Sequence, residues 1–171
     1  MKSFFTTKRL CRAGVIAALY AALTYAFAPF AFGPLQFRPA EALCILPVFF
    51  PEAVPALYIG CMLSNLTSPF FIYDVFIGSL ATLLAAISSY MVGRLLKKEP
   101  VRFILCGLFP VLFNAAIIPL IIVFLCGDNG GYQSVQAAYF AFAGSIALTE
   151  CLWVYGLGTP LYFSVKRFTE K

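Results

Sequence analysis

The sequence predicts an all-α integral membrane protein, a bundle of six transmembrane helices built as a single domain over residues 1–171. Three observations carry that expectation. Hydrophobic residues make up 62% of the chain and charged residues only 11%, with a mean hydropathy of +0.92, against roughly 45–50% apolar and 25% charged in soluble domains. The apolar residues gather in runs punctuated by Pro, Gly and charge. The basic residues are concentrated in three clusters between those runs. At about 20 residues per crossing, 171 residues allow six helices with short connections and no separate soluble domain.

The first apolar segment covers 13–32. Lys8, Arg9 and Arg12, followed by a run ending Ala26-Phe27-Ala28, imitate a secretory signal. Pro29 stands where cleavage would have to occur, and the run is long enough to cross a membrane at about 1.5 Å per residue, so it is read as a retained helix. Segments two and three, near 41–50 and 53–67, are separated only by Phe50-Pro51-Glu52. They form either a tight hairpin or one broken, partly re-entrant unit, tolerated only where neighbouring protein covers the freed backbone groups. Segments four, five and six lie near 75–93, 103–126 and 137–165.

Charge orients the bundle. Lys2, Lys8, Arg9 and Arg12 precede the first segment; Arg94, Lys97, Lys98 and Arg102 join the fourth to the fifth; Lys166, Arg167 and Lys171 follow the sixth. With six crossings all of these fall on one side, which the positive-inside rule makes cytoplasmic. Both termini are then cytoplasmic, and the loops at 33–40, 68–74 and 127–136 face outside.

Composition also narrows the chemistry. The net charge of +5 comes in short clusters rather than on a polar face with interleaved aromatics, which argues against nucleic acid. Six scattered cysteines without a CxxC pair, Cys11, Cys44, Cys61, Cys106, Cys126 and Cys151, read as buried free thiols. Histidine is absent, removing the commonest general base and metal ligand. There is no GxxxxGK[ST] loop, so the chain cannot by itself hold ATP in the P-loop manner.

Arg38 is the exceptional basic residue, alone on the outer side in a loop polar enough to cap a pocket. It either pairs locally with Glu41 to order the turn or contacts a ligand directly. Asn114 lies about eleven residues from the start of the fifth segment and Glu150 about thirteen from the start of the sixth, so counting from opposite ends puts both near mid-membrane. A carboxyl group there is costly unless neutralised or paired, which makes it a functional-site candidate; the competing role is structural, bonded to Asn114 or a backbone carbonyl. Trp153, the sole tryptophan, follows Glu150 by three residues and shares its helix face. An acceptor and a flat aromatic surface together suit a planar heterocycle, although a lone aromatic also serves packing. Asn65, Tyr73 and Asp74 either line the same mouth or cap helices. In the first segment Ala13, Ala17 and Ala21 recur every four residues beside Ala18, Ala22 and Ala26, a spacing that lets another helix approach, within this chain or from a partner.

The stretch Phe32-Gly33-Pro34-Leu35-Gln36-Phe37-Arg38-Pro39-Ala40-Glu41-Ala42-Leu43, the following Phe50-Pro51-Glu52-Ala53-Val54-Pro55-Ala56-Leu57, Gly78-Ser79-Leu80-Ala81-Thr82-Leu83-Leu84 and the late Tyr155-Gly156-Leu157-Gly158-Thr159-Pro160-Leu161-Tyr162 resemble the QueT-type queuosine-precursor transporters nearly end to end. The resemblance implies the S-component of an energy-coupling factor transporter, a subunit that binds its cargo from outside. Its partners would be a transmembrane coupling protein and two ATPases, which supply the missing nucleotide site. The implied cargo is a 7-deazaguanine such as preQ1, alternatively preQ0 or the queuine base, with no cofactor, in the bacterial cell membrane. The resemblance also implies that the alanine-rich first helix docks on the coupling protein. Where relatives are expected to carry Ser before the Glu of the loop motif, this chain has Pro39-Ala40. A guanine-like edge offers N–H donors to a carboxylate, and the ammonium of preQ1 would compensate buried negative charge; either Glu150 or Glu41 fits each task. The alternatives are an S-component for another vitamin-like micronutrient and a self-contained ion-coupled transporter. An intramembrane enzyme lacks candidate groups.

Overall fold

A computed structural model describes residues 6–32 and 36–169, which form helices and no strand. Lys2, Lys171 and the Gly33-Pro34-Leu35 part of the loop motif lie outside the described residues. The helices are α1 (Thr7–Ala26), the short α2 (Ala28–Ala31), α3 (Pro39–Val48), α4 (Ala53–Asn65), α5 (Phe71–Leu95), α6 (Glu99–Leu125) and α7 (Val135–Thr169). By length and composition α5, α6 and α7 can each cross a membrane, with 25, 27 and 35 residues. The first segment differs from the sequence reading in starting at Thr7 and breaking at Phe27. Pro29 falls in the opening turn of α2, where its missing N–H leaves no bond unmade.

Contacts between helices fix their directions. Arg12 bonds Glu52, Ala17 lies against Gly60, and Tyr25 donates to the Leu63 carbonyl, so α1 and α4 run parallel. Between them α3 runs the other way, with Arg38 near Ala31, Glu41 on Tyr20 and Phe50 under Arg12. Asn65 reaches Asp74 and Val48 touches Gly93, so α5 descends beside α4. The pairs Ser89–Cys106, Asn114–Glu150 and Arg102–Tyr162 then set α6 up and α7 down. Six segments thus alternate in direction. All the described basic residues except Arg38 gather at the end that holds Arg12, Glu52, Glu99 and Lys166.

The second segment is not an α-helix. α3 is a 3-10 helix of ten residues, buried from Pro39 to Pro47, far longer than the three or four residues usual for that geometry. Pro39 opens it and Pro47 lies inside it. Its three residues per turn stack Arg38, Glu41 and Cys44 in one column. At about 2.0 Å per residue α3 spans about 20 Å, and the 13 residues of α4 span about the same; both fall short of the roughly 30 Å hydrocarbon core. The two are joined through Phe49–Glu52, where Glu52 accepts from Arg12 at 2.6 Å and Phe50 lies 4.1 Å under the Arg12 guanidinium.

π-helical turns interrupt α5 at Asp74–Gly78, close α6 at Leu120–Leu125 and interrupt α7 at Leu152–Leu157. The second follows Pro119 and is marked by the Cys126 N–H reaching back five residues to Ile121 at 2.9 Å. Such turns re-aim side chains and recur at functional sites; here the first carries Asp74 and the third Trp153. The exterior is apolar, with Phe140 and Leu148 72% and 74% exposed, while carboxylates, amides and hydroxyls point inward. That distribution suits a hydrocarbon surround rather than water.

Candidate functional site

The polar interior is assembled around α3. Gln36, buried with a left-handed φ of 44°, turns the chain so that the Phe37 N–H bonds the Phe30 carbonyl at 3.0 Å. Arg38 is thereby carried inward. Sequence reasoning placed it on the outer loop; the structure buries it, with Nε donating to the Ala31 carbonyl at 3.1 Å and the guanidinium 5.0 Å from the Phe32 ring centre. The local Arg38–Glu41 ion pair does not form. Both Glu41 oxygens are taken instead, Oε1 by the Tyr20 hydroxyl and Oε2 by the Cys44 thiol at 3.1 Å, because the 3-10 column sets Cys44 directly beneath Glu41.

On α6 and α7, Asn114 Nδ2 donates to Glu150 Oε1 at 2.8 Å. The two counts from opposite helix ends therefore meet at one level. Glu150 Oε2 is buried and has no partner among the described residues, and neither has the indole Nε1 of Trp153. The Trp153 ring meets Phe37 edge-on with centroids 4.4 Å apart.

A third group joins α4 to α5. Asn65 Nδ2 donates to the Asp74 carbonyl at 2.7 Å, and Ser68 Oγ donates to Asp74 Oδ2. Asn65 and Asp74 therefore tie two helices together rather than capping their own. Asn65 Oδ1 and Asp74 Oδ1 remain buried and unpartnered. Tyr73, 40% exposed, is turned outward and does not join them.

Arg38 links the groups. It is within electrostatic reach of Asp74 and Glu41, and Glu150 is within reach of both Glu41 and Arg38. Among the described residues six buried polar side-chain atoms lack partners. Glu52 Oε2 stands apart at the basic end, beside Arg12; the other five are three acceptors, Glu150 Oε2, Asp74 Oδ1 and Asn65 Oδ1, and two donors, Arg38 Nη2 and Trp153 Nε1. Each unmade bond costs about 1–3 kcal/mol. A set holding both acceptors and donors is matched by a ligand carrying both. Of the supporting residues, Tyr20, Cys44 and Phe37 escaped sequence reasoning; only Tyr20, a tyrosine inside an alanine-rich helix, offered a signal.

The alanine stripe lies differently from the docking expectation. Ala21 is buried against the bundle, and Ala13 and Ala17 pack on the core while lining an apolar groove of about 430 Å³ between α1 and α4. The stripe left exposed is Ala18, Ala22 and Ala26.

A family model described as QueT transporter matches residues 10–167. No curated protein and no solved structure matches the chain.

Proposed function

The chain belongs to the QueT transporter family, and from that premise we propose that it is the substrate-binding S-component of an energy-coupling factor importer in the bacterial cytoplasmic membrane, with a 7-deazaguanine such as preQ1 as cargo. The observation that supports this reading is that, among the described residues, Glu150 Oε2, Asp74 Oδ1, Asn65 Oδ1, Arg38 Nη2 and Trp153 Nε1 are buried inside an apolar bundle without partners. A deazaguanine carries N–H donors and a carbonyl acceptor on one flat ring, which suits carboxylate oxygens, a guanidinium and an indole N–H arranged around aromatic faces. A coupling protein and two ATPases supply the energy. Six crossings put the basic end in the cytoplasm.

That orientation gives a direct expectation. A single cysteine introduced at Asp128, in a background without the native cysteines, is labelled by an impermeant thiol reagent from outside, and one at Lys98 only after permeabilisation. The reverse pattern contradicts the orientation. The partner surface is the exposed Ala18, Ala22 and Ala26 stripe with the adjoining groove. Ala22→Trp is expected to reduce transport and association with the coupling protein at least about tenfold while leaving cargo binding within about threefold; equal loss of both marks α1 as internal packing only. The proposal as a whole is tested by uptake into reconstituted vesicles with and without coupling protein and ATPases. Accumulation that requires them and ATP supports it. Autonomous accumulation driven by an ion gradient overturns it in favour of a self-contained transporter.

A further inference from the structure

The unpartnered atoms are not distributed evenly. On α7 an acceptor, Glu150 Oε2, and a donor, Trp153 Nε1, three residues on, both stand free among the described residues. Where α4 meets α5, Asp74 Oδ1 and Asn65 Oδ1 are both acceptors without a partner among the described residues. Of the two amide N–H donors of Asn65, Nδ2 gives one to the Asp74 carbonyl at 2.7 Å and directs the other to Ser79 Oγ at 3.4 Å and Cys61 Sγ at 3.5 Å, and the Ser68 hydroxyl donates to Asp74 Oδ2, so the atoms left free at that pole are oxygens. An edge with both N–H and C=O groups matches the mixed pole. A primary ammonium, with three donors and no acceptor, matches the oxygen-only pole.

We propose that the site has two poles, resting on the deazaguanine reading above: Asp74 and Asn65 bind a cationic amine on the cargo's side arm, while Glu150 and Trp153 bind the heterocycle edge. Arg38, within electrostatic reach of both acidic groups, offsets part of their negative charge. The π turn at Asp74–Gly78 matters here. Asp74 Oδ1 lies beside Gly78, 3.6 Å from where a Cβ there would stand, together with Asn65 Nδ2 at 3.4 Å and Ile118 Cδ1 at 3.6 Å, so the absence of a side chain at Gly78 lets the Asp74 and Asn65 side chains come together. Selectivity for a charged side arm then resides on α5 and recognition of the ring on α7.

The test titrates purified protein with preQ1, its hydroxymethyl analogue and preQ0, which share the ring and differ in side-arm charge. The wild type is expected to bind preQ1 at least about 30-fold more tightly than either neutral compound, as a buried charge-assisted contact requires. Asp74→Asn should bring that preference to within about threefold by weakening preQ1 alone. Glu150→Gln should weaken all three and keep the preference. Equal weakening of all three by Asp74→Asn overturns the assignment, as does a preference that disappears in Glu150→Gln. Should Asp74→Asn fail to fold, the wild-type ratio decides, and preQ1 binding no better than its hydroxymethyl analogue overturns the two-pole site while leaving the deazaguanine reading intact. Absence of preQ1 binding to the wild type removes both.

Discussion

Glu150→Gln is expected to weaken cargo binding by about 30- to 1000-fold, equivalent to about 2–4 kcal/mol. Asn114 Nδ2 holds Glu150 Oε1 at 2.8 Å, so the amide oxygen of Gln keeps that bond and its nitrogen takes the place of the free Oε2. A donor then faces a ring N–H. Two groups are left unpaired in a site without water to relieve them. Folding should be little changed, because a neutral amide is easier to bury than a carboxylate. Isothermal titration of the purified variant checks this; binding within about threefold of the parent would make Glu150 structural. Glu41 could not take over, since Tyr20 and Cys44 occupy both its oxygens, so recognition would pass to Asp74.

Gly60→Val is expected to cost about 1–3 kcal/mol of stability, the usual penalty for forcing atoms into a packed interface. A Cβ at Gly60 would stand 2.9 Å from the Ala17 carbonyl oxygen and 3.0 Å from Tyr20 Cβ. Neither neighbour is the end of a flexible side chain, so α4 must move off α1. Tyr20 then leaves Glu41, and the column under Arg38 loses its outer donor. Gly144→Ala is the control, because nothing lies within 4 Å of its added methyl group. Thermal unfolding in detergent, read by exposure of the buried thiols of Cys44 and Cys61, should show a lower midpoint for Gly60→Val and no loss for Gly144→Ala. Equal midpoints would mean that α1 and α4 are not held by this close approach.

Hydropathy and charge were enough to read the helical membrane class and the basic end, because both depend on composition along the chain. They could not give the form of α3. An uninterrupted apolar run reads the same as an α-helix or a 3-10 helix, and only the enclosing bundle, which buries every residue from Pro39 to Pro47, allows the narrower one. Asn114 and Glu150 were legible because a polar residue deep in an apolar helix needs a partner, and counting residues along each helix brings them level. The place of Arg38 was not, since its inward path depends on the left-handed turn at Gln36. The alanine stripe showed the periodicity but not the direction. A one-residue offset, about 100° of helix rotation, separates the face that packs on Gly60 from the one that stays open.

The central claim, that this bundle binds a 7-deazaguanine beside Glu150 and Trp153, is tested most directly by titrating purified protein with preQ1 and following the emission of Trp153, the single tryptophan. Its Nε1 has no partner among the described residues and its ring meets Phe37 edge-on, so an occupant there changes its surroundings at once. The expected result is a saturable change in emission at one ligand per chain, shifted to higher concentration by Glu150→Gln and matched by calorimetry. A folded protein whose emission and heat stay unchanged on adding preQ1 would contradict it.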